Sequence, residues 1–71
     1  MNDFDRKYDL FTEEMVAFLK ANPRHQETIR WLDRHKKIKT RFVRDLFDLW
    51  ILDSSRIGEW FVFLEGEYLK K

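Results

Sequence analysis

His25 and His35 are the only histidines in the chain and the first candidates for acid–base or metal chemistry. A protein zinc site takes four ligands, or three and a water. No cluster of Cys, Asp or Glu at ligand spacing accompanies these two, so both are expected to be solvated helix residues. Ser54 and Ser55, the only serines, follow Asp53 where caps and turns favour them. There is no cysteine to act as a nucleophile. Asp45, Asp48 and Asp53 resemble a carboxylate set, but Arg41–Asp45 and Arg44–Asp48 have the i,i+4 spacing of helix ion pairs, worth ~0.2–0.5 kcal/mol each. The two glycines form no phosphate-cradling loop. Catalysis, a metal, a cofactor and a small-molecule substrate are not expected.

Charge is the second source of chemistry. The net charge is +1, but Arg24 to Arg44 holds eight Lys/Arg against Glu27 and Asp33, while residues 1–23 and 45–71 are each net acidic. Two readings follow: a polyanionic partner for the basic segment, or neutralisation by acidic flanks folding back on it. Residues 29–48, "IRWLDRHKKIKTRFVRDLFD", can be laid on a helix-turn-helix pattern. Leu32, Ile38, Val43 and Leu46 then fall at the apolar packing positions. Lys36, Lys37 and Lys39 fall in the turn, with Thr40, Arg41 and Arg44 opening the recognition helix, where donors meet phosphates and base edges. The segment thus resembles a helix-turn-helix motif over these positions. It departs in carrying Asp33 where a small residue is usual, Lys37 in place of the turn glycine, and Asp45 and Asp48 on the reading face.

The third source is aromatic. Three Trp, two Tyr and seven Phe are a heavy load for 71 residues, since a chain this short buries only ~60% of its unfolded surface. Large apolar groups left outside a small core mark contact surfaces, and aromatics are enriched at interface hot spots. The run Trp60–Leu64 cannot all face one core. Trp60, Val62, Phe63 and Tyr68 are expected to form an interface with another protein or with a second copy.

Helices of definite register must position these groups. Thr12 is placed to cap a first helix with Glu13 and Glu14 in its first turn, Phe11 and Val16 as a hydrophobic staple, and Met15, Phe18 and Leu19 inward. Phe4, Tyr8 and Phe11 extend that apolar face towards the N-terminus. Pro23 stops this helix and, with Asn22 as cap, opens a second that runs to about Lys36 with Ile29, Leu32 and Trp31 inward. Thr40 is placed to cap a third, central helix through Phe42, Val43, Leu46, Phe47, Leu49 and Trp50. The last segment has two readings. Ile57, Trp60, Phe61, Leu64 and Tyr68 make a helical stripe, whereas Glu65-Gly66 is a possible hairpin turn. The helix is preferred, because a two-stranded ribbon apolar on both faces needs cover that so short a chain lacks.

The sequence therefore predicts one all-α domain over residues 1–71, a small bundle of three to four helices; the alternative is three helices plus a C-terminal β-hairpin, winged-helix-like. The expected function is a small non-enzymatic regulator or adaptor binding another protein through its aromatic surface, as a homodimer. The alternative is a helix-turn-helix DNA-binding transcriptional regulator reading through Lys36–Arg44. An N-terminus without an apolar leader and the absence of a ~20-residue apolar run predict a cytoplasmic protein with no membrane span.

Overall fold

The computed structural model describes residues 3–69, which form four α-helices joined by two short 3-10 turns. Helix α1 spans Asp3–Ala21, α2 Gln26–Arg34, α3 Lys36–Leu52 and α4 Ile57–Tyr68. The 3-10 turns are Pro23–His25 and Ser54–Arg56. No strand occurs among the described residues, and the hairpin alternative falls: α4 runs without a break through Glu65 and Gly66.

Helix α3 is the centre, as its apolar density predicts. It packs against all three other helices and supplies Phe42, Leu46, Phe47 and Trp50 to the core. Phe11 from α1, Leu32 from α2, and Phe61 and Leu64 from α4 complete the buried set. Most core rings meet at angles: Phe61 lies 5.3 Å from both Phe18 and Phe42, and Phe11 lies 5.2 Å from Phe47, while Phe47 and Trp50 are stacked. Tilted and edge-on rings place positive edges on negative faces, and such pairs add about 0.5–1.5 kcal/mol beyond area burial.

Three expected caps, Thr12, Thr40 and Asn22, do not cap. Helix α1 begins at Asp3, nine residues before Thr12, with Asp3 and Asp5 as its first-turn acids. Thr12 is inside the helix and its Oγ1 donates to the Tyr8 carbonyl at 2.9 Å. The staple is absent too, since Phe11 is in the core while Val16 is exposed. Thr40 repeats the pattern, donating to the Lys36 carbonyl at 3.0 Å from within α3. A threonine hydroxyl reaches the carbonyl four residues back as readily as it caps, and no breaker precedes either residue to force a start. Helix α3 therefore starts at Lys36, and only His35 separates it from α2.

Pro23 behaves as its chemistry demands, sitting in the first positions of its 3-10 turn. Asn22 does not cap forwards. Its Nδ2 donates to the Phe18 carbonyl at 2.8 Å, satisfying the C-terminal end of α1 instead. Asp53 does cap: its side chain accepts from the Ser55 amide at 3.1 Å and from the Ser55 hydroxyl at 2.6 Å. Those bonds, the hydroxyl's foremost, hold the Asp53 carboxyl below its ordinary value.

Candidate binding surfaces

The residues singled out for catalysis separate on folding. His35 is exposed on its one-residue link, with Nδ1 bonded to the Trp31 carbonyl at 2.8 Å and its ring stacked on Trp31 at 4.0 Å. Neither expected ion pair, Arg41–Asp45 or Arg44–Asp48, forms among the described residues. Asp45 instead accepts a short hydrogen bond from the Tyr68 hydroxyl on α4. That bond, reinforced by burial, raises the Tyr68 phenol above its ordinary value. Among the described residues no three His, Asp or Glu converge as metal ligands.

His25 corrects the sequence reading most sharply. It is buried, 5% exposed, stacked on Phe18 at 5.4 Å and edge-on to Phe61 at 5.0 Å. The Arg24 Nε donates to its Nε2 at 3.3 Å, which places the ring hydrogen on Nδ1. Nδ1 then donates to Glu65 Oε2 at 2.8 Å, and the same oxygen accepts from Thr28 Oγ1 at 2.5 Å. The cluster ties the Pro23–His25 turn and α2 to α4 through one carboxylate. The signal for it lies 40 positions away in Glu65, which local periodicity cannot detect.

The four expected interface residues divide. Phe63 is 54% exposed and Val62 47%, although their neighbours Phe61 and Leu64 are at 0% and 4%. Helix α4 is therefore apolar on its outer as well as its inner side. Trp60 is half-buried, packs on the core and donates its indole N–H to the Asp53 carbonyl at 3.0 Å. Tyr68 is half-buried against Phe42 and holds Asp45. Val62 and Tyr68 line an open groove between α2 and α4, bordered also by Arg30, Trp31, Arg34 and Gly66.

The six expected nucleic-acid residues all lie on α3, but the lysine turn of the motif does not exist. Lys36, Lys37 and Lys39 form the first turn of the helix, with no acid among them. That places cations at the positive end of the helix dipole; Lys39 is relieved by Asp33 at 2.5 Å. Leu32 and Leu46 are buried and Ile38 and Val43 half-buried, so the apolar part of the pattern does pack. Lys39, Thr40 and Arg44 line a second groove, where α3 meets the exposed rings of Phe4 and Tyr8 on α1. Among the described residues no acid of the flanks forms an ion pair with a Lys or Arg of the basic segment. Arg30, Arg34, Lys36, Lys37, Arg41 and Arg44 have none among the described residues.

No helix among the described residues is long and apolar enough to cross a membrane. Comparison with known protein families, with characterised proteins and with solved structures finds no match to this chain.

Proposed function

We propose that this is a small non-enzymatic regulatory or adaptor protein that works by protein–protein contact, with the outer side of α4 as its main contact surface and self-association into a dimer as its resting form. One observation carries the reading. Val62 and Phe63 stand about half exposed on a helix whose inner residues Phe61 and Leu64 already fill the core. The core has no place for them, and fully burying a Phe side chain is worth about 1.5–3 kcal/mol. A two-fold interface is the simplest cover, because each copy brings the same apolar patch to the other.

Sedimentation equilibrium on the wild type and on Phe63→Glu tests this. The wild type is expected to weigh as a dimer and the variant as a monomer with unchanged helical content. A wild-type monomer, or a variant of unchanged mass and normal folding, refutes it.

A second reading has its own observation, the six cations on α2 and α3 that lack ion-pair partners. They support a polyanion contact along α3, such as DNA, without the turn of a helix-turn-helix. Such binding would weaken steeply with salt as counterions are released. Charge reversal at Lys37, Lys39 and Arg41 would abolish it.

A further inference from the structure

Two glycines lie within α4, and internal packing accounts for only one of them. A Cβ added at Gly58 meets the Phe18 ring at 3.0 Å, so any side chain there makes that ring give by a few tenths of an ångström. A Cβ added at Gly66 meets nothing within 4 Å. Neither glycine has a positive φ, so the backbone itself requires neither. Glycine is a poor choice inside a helix unless something must come near. At Gly66 nothing within the chain does, and Gly66 borders the open α2–α4 groove.

From this juxtaposition we infer that the α2–α4 groove receives an acidic amphipathic helix from a partner protein, seated with its backbone close over Gly66. The inference rests on the reading of the chain as a protein-binding module and names the partner's chemistry. Val62, Trp31 and Leu69 supply the apolar contacts. Arg30 and Arg34, one turn apart on α2 and both exposed, have no carboxylate partner and match acids at i,i+4 on an incoming helix. Glu65 already accepts from His25 and Thr28, which ties the groove's two walls together and holds its side chain at 19% exposure. Glu27 is the remaining acid of the lining and sets the register, since the partner's carboxylates must lie over Arg30 and Arg34 instead. A strand is a poor occupant because both walls are helices, with no sheet edge to extend. Nucleic acid is a poor occupant because its unbroken line of phosphates must also pass Glu27, whereas a helix can place its acids over Arg30 and Arg34 alone.

The test uses the full chain and a fluorescein-labelled, Ala-based helical peptide of about four turns. The peptide carries Leu at i, i+3, i+4 and i+7 with Glu pairs at i,i+4 beside them, and a control has every Glu replaced by Gln. Anisotropy is expected to show saturable binding of the acidic peptide, about tenfold weaker for the control and for the Arg30→Glu/Arg34→Glu double variant. Gly66→Leu, which fills open space and leaves the fold intact, is expected to weaken binding at least about fivefold. Amide shifts of 15N-labelled protein are expected to centre on Gly66 and Val62. Equal binding of the Gln control, unchanged binding by Gly66→Leu, or no binding overturns the inference. Tighter binding of a single-stranded oligonucleotide at the same amides overturns it as well. So does loss of dimer mass in Gly66→Leu, which would make the occupant a second copy. Phe63→Glu separates this inference from the functional reading: it is expected to remove the dimer and keep the peptide. Dimer loss without peptide binding defeats the groove alone; peptide binding by a wild-type monomer defeats self-association alone.

Discussion

The two halves of α4 use the same residue types to opposite ends. Around Gly58 the helix is closed in: Phe18 covers the glycine, Trp60 bonds back to Asp53, and Phe61 is enclosed by Phe18, His25 and Phe42. Around Gly66 the helix is open. Among the described residues, the carboxylate of Glu65 and the hydroxyl of Tyr68 are the groups here that reach other elements by hydrogen bond, while Val62 and Gly66 face a groove. Fixed polar anchors beside uncovered apolar surface are what a preorganised contact surface needs, since the anchors set the shape before a partner arrives. Composition alone does not distinguish the halves. Their difference lies in what α1 and α2 bring against each.

Substitutions at matched positions can break this contrast. The largest effect is expected at Phe61→Ala, a loss of about 3–5 kcal/mol in urea unfolding. Phe63→Ala, two positions along, should change monomer stability by no more than about 0.5 kcal/mol. Similar losses at both would mean that Phe63 belongs to the core. Next comes Gly58→Val, expected to cost about 1–3 kcal/mol because the new methyls must displace the Phe18 ring from its stack on His25. Gly66→Ala should do the reverse and stabilise by about 0.4–1 kcal/mol, as a helical alanine with open space around it. A destabilising Gly66→Ala would show that the groove is closed. The smallest effect is confined to alkaline pH. Tyr68 holds its proton more tightly when folded than when unfolded. Its contribution is therefore complete below the ordinary phenol value of about 10 and declines as pH rises through the higher folded value. Tyr68→Phe should lose that part of the alkaline slope and leave the rest.

Much of this architecture was legible in the residues. The stripe of α3 follows from spacing, whereas the stripe of α4 competed with a hairpin turn at Glu65-Gly66 and was preferred because a short chain could not cover such a ribbon. The excess of aromatics over core sites foretold exposed rings, and Phe4, Tyr8 and Phe63 are those rings. Helix starts were less legible. Thr12 and Thr40 have the chemistry of caps, but a hydroxyl bonded to the i−4 carbonyl leaves the same trace in sequence. Polar pairing across the fold was illegible. Asp45 had an arginine at ideal helical spacing, yet took a tyrosine 23 positions on; His25 carried no apolar stripe, yet is buried because Glu65 and Thr28 meet it there. The groove was missed for the same reason, since Arg30, Arg34 and Gly66 acquire a common meaning only when α2 lies beside α4.

The claim that the outer side of α4 is a contact surface is tested most directly by the dependence of stability on protein concentration. If Phe63 is buried between two copies, association stabilises the folded chain by mass action. The wild-type urea midpoint should then rise with concentration, and that of Phe63→Glu should stay constant. A wild-type midpoint that does not move with concentration would contradict the account.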